Sequence, residues 1–186
     1  MTHKTAILGW GSLLWEGGEE FDRWRGDWSY DGPRLPIEFS RISSSREGAL
    51  TLVVDAKNGV LTTVAWCVSK RKEPADAVAD LRCREGCGIR YIARLDGAAF
   101  EDAQGSGKVI AEWAKARDLD SVVWTALESN FETKAKESFS VDSAIRYLQA
   151  LPRLGKARAA EYVGRAPEFV QTPLRAALEN QPWFRA

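Results

Sequence analysis

The chain has 186 residues, a formal net charge of zero from 26 acidic and 26 basic side chains, and 45% apolar residues, among them eight Trp and seven Phe. That length suits one domain whose core needs no disulfide staples. Balanced charge gives no electrostatic footprint for nucleic acid or an anionic membrane, and no apolar run approaches a membrane span.

Ala6-Ile7-Leu8 is apolar on both faces and predicts a buried strand over 5–8, which Gly9 and Gly11 interrupt. Glu19 to Trp28 reads as an irregular or helical excursion, and Tyr30 to Pro36 as turn chemistry built on Asp-Gly-Pro. Strands are expected at Ile37–Ile42, Ala49–Val54 and Val60–Val68, with Asn58-Gly59 joining the last two as a hairpin. The period then changes. Pro74 suits a first helical turn, and Gly86 or Gly88 its end. A strand over Ile89–Leu95, a helix from about Gly107 to Arg117 and a strand over Ser121–Leu127 follow. Helices are expected at Val141–Ala150, Lys156–Val163 and Pro173–Glu179.

Strands without regular helical crossovers, followed by gathered helices, make an α+β pattern. The expected architecture is a small curled or barrel-like mixed sheet with packed helices. It forms one domain over 1–186, with a core over 1–128 and a mostly helical extension over 129–186. The N-terminal apolar run is too short for a secretory signal, so a cytoplasmic location with reduced thiols is expected.

The Gly9–Ser12 turn is no phosphate loop, because no Gly-Lys-[Ser/Thr] follows, and no dinucleotide fingerprint, because Leu14 stands where a third Gly belongs. Ser12 lacks the flanking pattern of a nucleophile elbow, and the only histidine is His3 near the N-terminus. Two readings remain: a tight turn that uses Gly for positive φ, or a turn whose N–H groups converge on a carboxylate or oxyanion.

On the helix from Pro74, Val78, Leu81 and Glu85 share one face at i, i+3 and i+7. Glu85 therefore continues an apolar stripe at the helix end. Burial and the helix C-terminus both favour its neutral form, which suits a general base that later returns its proton. The alternative is a Glu ion-paired with Arg82, Arg84 or Arg90. Cys83 and Cys87 are spaced i, i+4, but Cys67 and His3 are poor completions of a four-ligand zinc site, so no metal is expected and the thiols read as small hydrophobes. Trp10, Trp15, Trp24 and Trp28 read as core ahead of pocket lining. Arg41, Ser43, Ser44, Ser45 and Arg46 form either a solvated loop or an arm toward a substrate carboxylate.

Two separated pieces resemble one family. "GWGSLLW" after an apolar strand is similar to the Tyr-Gly-Ser-Leu turn of the γ-glutamylcyclotransferase-like proteins, most of all their ChaC branch. "LRCREGCGIRYI" resembles that family's Arg-Glu segment, which carries a catalytic glutamate, and "GALTLVVD" and "TTVAWCVS" resemble the strands between. Trp10 stands where the family usually has Tyr. The resemblance covers the first half of the chain and implies an enzyme that cleaves a γ-glutamyl amine or peptide by attack of the substrate's own α-amine, releasing 5-oxoproline. It implies Glu85 as acid/base and Gly9, Trp10, Gly11, Ser12 and Leu13 as substrate cradle, with a small-molecule partner and neither metal nor cofactor. A non-catalytic binding module on the same fold, and an acyl transferase acting on γ-glutamyl amines, are the alternatives.

Overall fold

The computed structural model describes residues 3–101 and 104–185, with seven strands and eight helices among them. It divides into two compact units. One comprises the described residues of Met1–Leu35 and Thr63–Leu127, the other those of Pro36–Thr62 and Glu128–Ala186. The chain thus leaves the first unit near residue 36, returns at 63 and leaves again at 128. The C-terminal helices share their unit with the 36–62 strands.

In the first unit β1 (Thr5–Gly9) is buried at every position, as expected of a central strand covered on both faces. It runs antiparallel to β5 (Ala65–Val68) and parallel to β7 (Ser121–Thr125), which pairs antiparallel with β6 (Ile92–Asp96). The sheet order is β5-β1-β7-β6. Two helices precede and follow β5: α1 (Glu19–Trp24) and α2 (Pro74–Glu85). α2 opens on Pro74 and closes on Gly86 at φ 59°. Gly86 N–H donates to Cys83 O and Cys87 N–H to Arg82 O, a Schellman arrangement that ends the helix at Glu85. Arg71 ties the two helices together. Its guanidinium donates twice to Asp80 and once to Glu20, and it lies 4.0 Å above the Trp24 ring. The remaining helix of this unit, α3 (Ser106–Ala116), packs Ile110, Ala111 and Ala114 inward. Its Trp113 meets Trp66 edge to face, and Trp113 Nε1 donates to Asp31 O.

In the second unit β2 (Arg34–Ile42), most of which lies there, is central in a sheet ordered β3-β2-β4, with β3 at Leu50–Val54 and β4 at Val60–Thr63. Five helices follow: α4 (Phe131–Ala135), α5 (Val141–Ala150), α6 (Arg153–Arg165), α7 (Pro173–Leu178) and α8 (Pro182–Arg185). Ser140 and Ser143 cap α5 reciprocally, and Thr172 Oγ1 caps α7. Tyr162 of α6 packs edge to face on Phe39 of β2.

The structure corrects three expectations. The strands form two separate sheets, not one curled or barrel-like sheet. Val60–Val68 is not one strand, because it breaks at Val64 and its halves join different sheets. There Val64 N–H donates to Pro33 O and Gly32 N–H to Val64 O. The third correction concerns Asn58-Gly59, which joins no hairpin, because β2 lies between β3 and β4. Asp55 accepts the Lys57 and Asn58 N–H groups instead and folds the loop back on itself. A Cβ on Gly59 would stand 2.5 Å from the Pro36 carbonyl carbon and 2.6 Å from Asp55 O. Both obstacles are backbone. Gly59→Ala is therefore expected to cost about 1–3 kcal/mol, read from a urea melt of the full chain.

β2 buries polar atoms as well as apolar ones. Glu38 is 1% exposed, and its Oε1 accepts the Phe39 N–H at 2.7 Å. Burial pushes its carboxyl above the usual glutamate range, against hydrogen bonds from Thr172 and from the Phe39 and Leu174 N–H groups, while the nearby Asp55 charge adds to the rise. A carboxyl raised in the folded state binds protons more readily there than when unfolded. Its stabilisation is complete below the unfolded value and is lost as pH rises through the folded one. Wild type is expected to lose stability relative to Glu38→Gln as pH rises from about 4 to 7. Paired denaturant melts across that range check it, and a constant difference would contradict it.

Among the described residues, no helix is long and apolar enough to cross a membrane.

Candidate functional site

β1 delivers the Gly-rich turn. The chain leaves the sheet at Gly9, and Ser12–Leu14 form one short 3-10 turn in which Leu14 N–H donates to Gly11 O. The N–H groups ahead of that first bond have no acceptor within the turn. Neither Gly9 nor Gly11 takes positive φ, so the conformational reading of these glycines is incorrect. The requirement at Gly9 is steric. A Cβ there would stand 3.0 Å from the Trp28 ring and 3.1 Å from Leu14. Trp10 is 6% exposed and Leu13 8%. Leu13 belongs to the core cluster of Ile7, Phe21, Cys67, Ala77, Leu81, Ile92 and Val123, against which Trp28 and Val78 pack.

That cluster carries the turn to α2, because Leu13 and the α2 residues Ala77 and Leu81 share it. Glu85 lies one turn beyond Leu81, at the helix end, with its side chain 17% exposed. The link between Glu85 and the turn is Arg84, whose side chain is 7% exposed. Its Nη1 donates to Glu85 Oε1 at 2.7 Å, and its Nη2 to Ser12 O at 2.7 Å. Glu16 O accepts from Nε at 3.2 Å and from Nη2 at 2.7 Å. One guanidinium therefore holds the carbonyl of the turn and the carboxylate at the helix end. Of the ion pairs weighed from the sequence, the one with Arg84 forms. Gly18 accommodates this arginine closely, since a Cβ there would meet Arg84 Cγ at 3.2 Å.

The chemistry around the turn is otherwise sparse. The Trp28 indole N–H is buried and makes no hydrogen bond to the described residues, and Arg25 stacks over its ring at 5.5 Å. Trp24 belongs to the Arg71 network, its Nε1 donating to Glu20. Burial raises the Cys67 thiol to about 12, and burial followed by the Glu85 charge raises Cys87. Cys83 is exposed, unlike the buried thiol expected of it. Among the described residues no group of His, Cys, Asp and Glu is arranged to hold a metal ion.

Other polar groups singled out from the sequence lie elsewhere. His3 Nε2 meets Ser121 Oγ at 2.6 Å, and Ser121 Oγ donates to Asp96. His3 and Asp96 border a surface depression of about 440 Å³, lined also by Phe100, Lys115 and Asp118. It lies at the start of β1, whereas the Gly-rich turn lies at the end of that strand. In the second unit Arg41 donates to Glu128 O, Lys134 to Ser44 Oγ, and Arg46 lies 4.9 Å over the Tyr162 ring. The serine-arginine segment is thus tied into its own unit.

Sequence reasoning missed the reach of Arg84. The signal was the Arg-Glu doublet at a helix end, where the first residue can turn inward to the preceding turn while the second closes the helix. Comparison with family models, curated proteins and solved structures gives no match to this chain.

Proposed function

We propose that this protein is a γ-glutamylcyclotransferase-like enzyme that releases 5-oxoproline from a γ-glutamyl amine or peptide. The observation that carries the reading is the shared guanidinium: Arg84 bonds both Ser12 O and Glu85 Oε1, so acid and turn are neighbours in one unit. In this reading the backbone of Gly9, Trp10, Gly11, Ser12 and Leu13 folds the glutamyl chain until its α-nitrogen meets its γ-carbonyl carbon. Such pre-orientation removes several kcal/mol of barrier. Donors of the turn steady the oxyanion that forms. Glu85 takes a proton from the α-ammonium, since an ammonium cannot attack, and returns it to the departing amine. The bond formed is the ring amide of 5-oxoproline, and the bond broken is the γ-glutamyl amide. Proton and electron accounts close without a co-reactant.

A binding module is the second reading. The ion pair that engages Glu85 Oε1 favours it, because a carboxylate held by a cation is a weaker base. A panel of γ-glutamyl amines and dipeptides separates the two. Release of 5-oxoproline, followed by mass spectrometry, supports the enzyme. Saturable binding without turnover supports the module, and a transferred glutamyl group would point to acyl transfer.

A further inference from the structure

We propose that Arg84 is a positioning residue for the cyclisation proposed above, on which this role rests: its guanidinium fixes the Glu85 carboxylate against the Ser12 end of the Gly-rich turn. The argument starts from its surroundings. The side chain is 7% exposed, yet its four hydrogen bonds reach three separate acceptors, two of them main-chain carbonyls of the segment after β1 and one a carboxylate oxygen on its own helix. A planar fork presents several donors in fixed directions, so the acceptors it holds are fixed relative to one another. Adjacent residues on a helix do not face each other. Here the pair forms because α2 ends at Glu85 and the chain turns left-handed at Gly86. Leu13 and Leu81 hold the same two segments from the apolar side, and Arg84 supplies the polar half of that joint.

The position of Glu85 relative to the turn then decides whether the base reaches the α-nitrogen that the turn presents. Displacing a catalytic group by about 1 Å costs roughly 10²-fold in rate. Lys at this position would carry the charge but, as a point donor, would not hold Ser12 O, Glu16 O and Glu85 together.

The test uses the full chain with Arg84→Gln and Arg84→Lys, the second variant serving if the first does not fold. With the γ-glutamyl compound turned over fastest by wild type, both are expected to lose about 10²-fold in kcat while KM changes little. The Glu85 carboxyl is also followed by ¹³C NMR across pH, its signal identified by its loss in Glu85→Gln. Its midpoint is expected to rise in Arg84→Gln, where the neighbouring cation is gone. Cys87 and Arg82, which are electrostatically linked at this helix end, are unchanged in both variants. Retention of wild-type kcat by folded variants would overturn the role, as would an unchanged Glu85 midpoint. If wild type releases no 5-oxoproline from any compound of the panel, the cyclotransferase reading fails by itself. The NMR midpoint then still decides whether Arg84 holds Glu85.

Discussion

Glu85→Gln is expected to lower 5-oxoproline release by about 10²–10⁴-fold, the usual contribution of a positioned general base. The amide keeps the length and shape of the side chain and one oxygen for the Arg84 Nη1 bond of 2.7 Å. What it loses is the ability to take a proton. The substitution also leaves a guanidinium that is 7% exposed without its anionic partner, although Ser12 O and Glu16 O still accept from it. A stability loss of about 1–3 kcal/mol is therefore expected alongside the loss of rate. The two are separated by assaying at a temperature where a melt shows the variant folded. A folded variant with wild-type turnover would remove Glu85 from the chemistry. A variant that loses rate only in proportion to its unfolded fraction would do the same.

The parts of this arrangement that the sequence revealed are those governed by local rules. Pro74 and Gly86 bound α2 because each acts through its own backbone, one by its fixed φ and the other by its tolerance of φ 59°. β1 was visible because a strand buried on both faces reads as a near-continuous apolar run, here Ala6-Ile7-Leu8. α5 spans Val141–Ala150 as expected, and the structure adds the Ser140 cap. The stripe of Leu81 and Glu85 on α2 was likewise visible. α4 was not, because five residues over Phe131–Ala135 carry too little period to read.

What stayed hidden depends on partners distant in sequence. Val60–Val68 has one apolar character throughout, so nothing local marks Val64 as the break. The break is imposed by Gly32 and Pro33, which meet Val64 through the backbone. Asn58-Gly59 carries a genuine turn signal, yet a turn does not decide which strand its flanks will pair with, and β2 takes the place between them. The sequence offers Arg82, Arg84 and Arg90 as partners for Glu85, and only the helix end selects Arg84. The route from Arg84 to Ser12 crosses 72 residues of sequence, and no pattern within α2 encodes it. The turn glycines show the same limit from the other side. Their presence was informative, but their reason at Gly9 is the Trp28 ring, a contact made 19 positions later.

Leu81→Ala should produce the largest loss of stability of any single change near the site, about 2–5 kcal/mol. Leu81 is fully buried and belongs to the cluster that also contains Leu13 of the turn and Ile7 and Val123 of the sheet. Truncation removes transfer energy and leaves a cavity that the strands on its far side cannot close without breaking their ladder. Val78, which is only half-buried against the same cluster, should cost less when changed to Ala. Leu81→Met, nearly equal in volume, should cost under about 1.5 kcal/mol. Urea melts of the three variants give the order directly. The same order should appear in turnover by folded protein, because the cluster fixes the end of α2 and the turn against each other before Arg84 joins them. Equal turnover in Leu81→Ala and Leu81→Met, beside a clear difference in stability, would mean that apolar packing holds the fold but does not set the distance between base and cradle, leaving that task to the guanidinium alone.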